Sequence, residues 1–254
     1  MSNFFQNFPI VPYKFGNEFT VTPFQNISAY NHIIDQLVDD TTFYTTFTIE
    51  DGDRPDVLSY KLYGTVDYYW TFYFLNEDIR ESGWPLSNLD VFEKAKIHYP
   101  HRVVTTKAGL GQDGDISDIF LVGDRVRGVT TSTNTGVVVR RNLDLGQIVL
   151  TTTDNYRSER VHGTGELIEA NESTANRTYV FSDVEQFNAV HHYENTAGEI
   201  VDINPFTQDT TGLIPITYLN RMQQRNDELK EIKAFKPDIV TQINSEWQKL
   251  LLQG

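Results

Sequence analysis

Asp51-Gly52-Asp53-Arg54-Pro55-Asp56-Val57-Leu58-Ser59-Tyr60-Lys61-Leu62-Tyr63-Gly64 opens the stretch that decides the fold, and Thr65 to Leu86 completes it. Pro55 suits a first helical turn, where a missing N–H costs little, and Asp53 is placed to cap it. Gly64 supplies a left-handed stop. Thr65 then caps a second helix, expected from Val66 to about Leu75, and Asn76 ends it. The reading is a helical hairpin with a very short turn. Its second helix carries Tyr68, Tyr69, Trp70, Phe72, Tyr73, Phe74 and Leu75, so it is apolar on nearly every side. Such a helix must be covered on every side. A small domain covers only part of it, so Tyr69, Trp70, Tyr73 and, after Gly83, Trp84 are candidates for contact with another domain or chain. About half of these aromatics are expected to be ordinary core, since aromatics dominate both cores and interfaces.

Around this hairpin the chain supplies strands. Phe43, Thr45, Phe47 and Ile49 alternate as one β-strand, and a closing strand is expected near Tyr99 to Thr105, through Val103 and Val104. An acidic residue before Gly-Asp, then Leu-Ser, Tyr-Gly and Leu-Asn, is similar to a LysM module, a small βααβ fold. The fuller string Arg54-Pro55-Asp56, Lys61-Leu62-Tyr63-Gly64-Thr65, Asp67-Tyr68-Tyr69-Trp70-Thr71-Phe72 and Gly83-Trp84-Pro85-Leu86-Ser87 resembles the LysM-like baseplate wedge proteins of large contractile-tailed (myovirus-type) bacteriophages. The resemblance covers roughly Phe43 to Thr106, with weaker echoes at Phe5 to Phe15 and Asn226 to Pro237. It implies a virion component of the tail baseplate, assembled in the host cytoplasm, with one such protein in each of six wedges. Its implied partners are other wedge proteins, including the lysozyme-like, sheath-proximal one. LysM modules elsewhere bind N-acetylglucosamine-containing glycans, so peptidoglycan binding is the alternative.

Composition bounds both readings. At 254 residues the chain can bury a sizeable core. Its formal charge of −14 argues against nonspecific binding of nucleic acid or an anionic membrane. It has no cysteine, which excludes disulfides, thiolate metal sites and thiol nucleophiles. Met1 to Phe15 lacks the pattern of a signal peptide, and no window approaches the length of a spanning helix.

The remaining segments place themselves around the hairpin. Residues 1 to 27 are aromatic and proline-bearing and read as an extended arm, with Phe8 and Tyr13 as further interface candidates; the arm lies on a neighbour or on its own domain. Ser28 caps a helix to about Val38. A solvated helix is expected at Leu89 to Lys96. From Ala108 the composition turns to Gly, Asp, Val and Thr, with short β runs at roughly ten-residue spacing, which suggests a small barrel or sandwich. Asp154 to Arg177 reads as a loop with one edge strand, and Thr178 to Phe181 and Ala189 to Tyr193 as strands. Residues 194 to 215 read as a turn-rich loop, and Thr217 to Asn226 as a polar helix or hairpin edge. Pro237 starts a final amphipathic helix with Ile239, Val240, Ile243, Trp247, Leu250 and Leu251 on one stripe. The fold class is therefore α+β, in four segments: an arm and helix (1–42), a LysM-like domain (43–106), a β-rich insertion (107–175) and a C-terminal segment (176–254).

Chemistry is not signalled. Asp113, Asp115 and Asp118 miss the glycine and glutamate that a calcium loop needs, since Asp118 and Asp124 hold those places. Gly109-Leu110-Gly111-Gln112-Asp113-Gly114 matches a nucleotide-loop pattern only by letter, because no strand–helix context surrounds it. Pro100 separates His98 from His101. His191 and His192 are adjacent on a strand and are expected on opposite faces, which argues against a shared metal. No catalytic residue, cofactor or metal is assigned, and the expected role is structural rather than enzymatic.

Overall fold

The computed structural model describes residues 10–14, 21–25, 42–106, 116–129, 135–151, 166–204 and 209–253. Phe8, Asp113, Asp115 and the helix expected from Ser28 lie outside the described residues. The strands are β1 (Ile10–Tyr13), β2 (Thr22–Gln25), β3 (Tyr44–Thr48), β4 (Arg102–Thr106), β5 (Arg125–Gly128), β6 (Thr135–Asn142), β7 (Gln147–Thr151), β8 (Leu167–Ala170), β9 (Arg177–Glu185), β10 (Val190–Glu194), β11 (Ile200–Val201), β12 (Ile214–Thr217) and β13 (Glu231–Phe235). The α-helices among the described residues are α1 (Pro55–Tyr63), α2 (Trp70–Leu75), α3 (Glu77–Ser82), α4 (Asn88–His98), α5 (Tyr218–Glu228) and α6 (Pro237–Gln253). The chain is α+β and divides into two compact units, one made of Met1–Asn88 with Arg225–Gly254, the other of Leu89–Gln224.

In the first unit the helical hairpin forms with two local differences. The cap of α1 is Arg54, with Pro55 in the first turn, and Gly64 closes it at φ 72°. Asp53 is engaged elsewhere: its carboxylate accepts Lys61 Nζ at 2.8 and 2.9 Å. Thr65 caps the next segment, accepting the Asp67 N–H. That segment is a 3-10 turn (Val66–Tyr68) before α2 rather than one helix from Val66. Thr71 Oγ1 donates to the Tyr68 carbonyl at 2.7 Å, and the Phe72 N–H reaches back only to Tyr69, so the regular i to i−4 ladder begins late.

The strand opposite β3 differs from expectation. β3 pairs antiparallel with β13, from Thr48 beside Glu231 to Tyr44 beside Phe235. The stretch expected to close this unit, Tyr99 to Thr105, contributes instead β4 of the second unit. The reason is burial on both sides. Val104 faces one core cluster with Ile148 and Val180, and Val103 faces another with Val149, Ala189 and Tyr218. The expected boundaries at 106 and 175 accordingly both fall inside the second unit, which interrupts the first in sequence.

Long-range polar contacts join the two chain segments of the first unit. Asn76 at the end of α2 donates to the Lys233 carbonyl and accepts the Lys233 N–H, each at 2.8 Å, so its amide satisfies the outer edge of β13. Asn226 treats Leu86 alike, accepting its N–H at 2.7 Å and donating to its carbonyl at 2.9 Å. Asn76→Ala leaves both Lys233 groups unpaired and is expected to cost about 2 kcal/mol. Urea unfolding followed by tryptophan fluorescence checks this, because Trp70, Trp84 and Trp247, the three tryptophans of the chain, all belong to the first unit. A midpoint unchanged from wild type would show the amide bridge to be dispensable.

Tyr63 adds a pH dependence. Its hydroxyl donates to the Phe235 carbonyl at 3.0 Å, and burial pushes its pKa up to about 12. The folded state therefore holds this proton more tightly than the unfolded chain does. Its contribution is complete below the ordinary tyrosine pKa and is lost as pH rises from about 10 towards 12. Tyr63→Phe is expected to flatten the alkaline fall in the fluorescence-monitored stability; an identical profile in the variant would refute the assignment.

The second unit is built on a closed six-stranded antiparallel barrel in the order β4-β7-β6-β5-β8-β9. It runs on through β9 to Glu185, beyond the expected limit at 175; β8, in the stretch expected as a loop with one edge strand, is a barrel stave, and the strand expected at Thr178 to Phe181 is part of β9. Val104, Val126, Val138, Ile148, Leu150, Ile168 and Val180 fill it, with Ile116 and Phe120 also buried in that cluster. Arg141 Nη1 donates to the carbonyls of Ile116, Ser117 and Ile119, which fixes the loop carrying these two side chains. Gly136 lies where a Cβ would meet the Thr151 carbonyl oxygen at 2.9 Å and the Leu150 Cβ at 3.2 Å. Gly136→Ala therefore forces β6 away from β7 and is expected to cost about 1–3 kcal/mol in barrel stability, read by hydrogen exchange at the β6 and β7 amides. Unaltered protection would mean the strands yield freely.

Charged pairs cover the barrel's outer side. Glu169 lies between Arg127 on β5 and Arg177 on β9, in register with both, and bonds them at 2.7 and 2.6 Å. Arg177 first and Arg127 second hold its carboxyl below the usual range. A separate three-stranded antiparallel sheet, β11-β10-β12, belongs to the same unit.

Candidate docking surfaces

The interface candidates divide once their surroundings are known. Trp70 is 7% exposed and belongs to a core cluster with Phe74, Leu75, Phe235 and Val240, its ring edge-on to Phe74 at 5.9 Å. Its own domain buries it, so its role is packing. The helix face one turn apart at Tyr69 and Tyr73 is half-buried. Burial, and then the neighbouring Tyr69, raise the Tyr73 pKa. Trp84 continues this face, with its ring 5.8 Å from those of both Tyr73 and Phe72. The turn around Trp84 is less exposed than its Gly and Pro neighbours suggest, because the indole N–H donates to the Asp53 carbonyl at 2.6 Å. Tyr69, Tyr73 and Trp84 thus form one aromatic row carried by α2 with its N-cap and by the Gly83 turn.

Tyr13 ends β1. The β1–β2 hairpin pairs Ile10 with Gln25 and Tyr13 with Thr22. Ile10, Val11 and Tyr13 are exposed, Ile10 by 70%, and so is Val21 just before β2. A two-stranded ribbon with Ile10, Val11 and Tyr13 exposed gains little from burying them.

The second unit contains a polar cluster that strand periodicity did not suggest. The pairing of β10 with β12 shifts between Val190 and His192. This bulge brings the neighbouring histidines together, with Nδ1 to Nδ1 at 2.8 Å, instead of sending them to opposite faces. Arg221 Nη1 meets His191 Nε2 at 2.8 Å, and His192 Nε2 meets the Glu194 carboxylate at 3.0 Å. Tyr218 lies edge-on to His191, with centroids 4.9 Å apart, and its hydroxyl bonds Arg140. Burial first, then Arg221, His192 and Arg140, depress the His191 pKa. Among the described residues no group of three His, Cys, Asp or Glu side chains could hold a metal ion, nor is any helix long and apolar enough to cross a membrane.

No protein-family model matches this chain, and no curated protein sequence matches it.

Proposed function

We propose that this chain is a structural component of a phage tail baseplate wedge, joining neighbouring wedges through protein–protein contacts without catalysing a reaction. The β1–β2 hairpin supports the reading most: Ile10, Val11, Tyr13 and Val21 stand exposed on a ribbon that needs cover. An assembly subunit finds that cover in its neighbours. The order β3, α1, α2, β13, with β3 and β13 paired, agrees with a LysM-like βααβ unit in which the second unit is inserted before the closing strand. On this reading the hairpin and the Tyr69–Tyr73–Trp84 row are the contacts that bury apolar surface on docking, and the partners are other wedge proteins, including the lysozyme-like, sheath-proximal one, in six wedges per virion. No metal or cofactor is required.

The test is co-sedimentation of the purified chain with partly assembled wedges from the same virus and, separately, with peptidoglycan sacculi. The expected result is pelleting with wedges alone, lost when Ile10 and Tyr13 are both changed to serine. Pelleting with sacculi alone would overturn the reading in favour of glycan recognition.

A further inference from the structure

Arg140 and Arg221 lie at two ends of one polar cluster in the second unit. Arg102, Arg127 and Arg177 of the same unit each bond a carboxylate. Arg140 and Arg221 bond only neutral acceptors among the described residues: Arg140 the Tyr218 hydroxyl, and Arg221 the His191 ring. Arg140 also lies over the Tyr218 ring, 5.9 Å from its centre. Both arginines are exposed residues, they come from β6 and α5, and the rings of Tyr218 and His191, which they respectively bond, are in contact.

The hydrogen-bond chain orders the two histidines behind Arg221. An arginine can only donate, so His191 Nε2 accepts and its ring proton sits on Nδ1. That proton is donated to His192 Nδ1, so His192 carries its own on Nε2 and gives it to Glu194. The two imidazole rings thus separate the Glu194 carboxylate from the Arg221 guanidinium. Among the described residues each arginine is oriented by one such bond, which leaves further N–H donors of the guanidinium.

We propose that Arg140 and Arg221 form a carboxylate-capture site for an acidic segment of a partner protein. Preorganised guanidinium groups suit forked bonding to carboxylates. The chain's net charge of −14 opposes a polyanion such as nucleic acid at long range, whereas one or two carboxylates meet the local pair without that penalty. The proposal does not rest on the baseplate reading, and its test uses no viral component.

The probe is a blocked diglutamate peptide, titrated while the side-chain Nε–Hε signals of the arginines are followed by NMR. Saturable shifts are expected at Arg140 and Arg221, with none from blocked diglutamine. Arg140→Gln and Arg221→Gln should each weaken binding by about tenfold or more, while Arg125→Gln, at an exposed arginine of β5, should not. Unchanged thermal melting of the two variants shows that they fold. Absent or non-saturable shifts, or equal weakening by Arg125→Gln, would overturn the site. Inorganic phosphate matching the peptide at equal concentration would overturn the choice of a peptide ligand.

Discussion

Trp70→Ala is expected to lower the stability of the first unit by about 3–5 kcal/mol, the range for removing a large aromatic from a packed core. The indole is nearly sealed, touches Phe74 edge-on and shares its cluster with Phe235 of β13 and Val240 of α6. The cavity would therefore open where the two chain segments of this unit meet. β3, β13 and α6 hold much of the surrounding surface, which limits collapse into the void. The measurement is urea unfolding followed by the fluorescence of Trp84 and Trp247. Tyr73→Ala provides the contrast, because Tyr73 is only half-buried and should lose distinctly less stability. If Trp70→Ala cost under about 1 kcal/mol, the residue would be surface in solution and its place among the docking candidates would return.

Asp183→Ala should be comparably severe in the second unit, at about 3–5 kcal/mol. Arg102 and Asp183 lie on adjacent barrel strands with side chains 4% and 0% exposed, and Arg102 Nε donates to the carboxylate at 2.8 Å. A second bond runs from Arg102 Nη2 to the Asp183 carbonyl at 3.3 Å. The backbone carbonyl survives the substitution, but the guanidinium keeps a full charge with no counter-ion where water cannot reach it. The pair itself need not be a net stabiliser, since desolvation of both ions offsets most of their attraction. Arg102→Met with Asp183→Leu should accordingly recover most of the loss. Hydrogen exchange at the β4 and β9 amides reports on the barrel, whose unit contains no tryptophan. A double variant as unstable as Asp183→Ala would mean that the ion pair holds the two strands together rather than merely balancing a charge.

The parts legible in the sequence act over a few residues. Pro55 and Gly64 bound α1, Thr65 and Asn76 bound the segment after it, and Pro237 opens α6, because caps and turn residues satisfy backbone groups of their own element. The change of composition after Ala108 marked a β-rich body for the same kind of reason, since alternation and turn residues are local signals. Aromatic content likewise identified the Tyr69 to Trp84 region as a crowded surface, but not which rings face inward.

Which strand lies beside β3 was decided by tertiary structure. Arg102–Thr106 and Glu231–Phe235 are both short and partly apolar, and either could close a ladder on local pattern alone. What separates them is cover. Val103 and Val104 each have a buried cluster to enter, on opposite sides of β4, whereas β13 has its outer edge satisfied by the Asn76 amide. The histidine cluster shows the same limit from another direction. Period-two reasoning sends His191 and His192 apart, and a bulge against β12 reverses it. Thus the sequence by itself determined the α+β class, the bounds of the capped helix α1 and the start of α6. Tertiary structure alone decided strand partners, the burial of Trp70 and the meeting of Arg140, Tyr218, His191 and Arg221, because those depend on contacts between residues far apart in the chain.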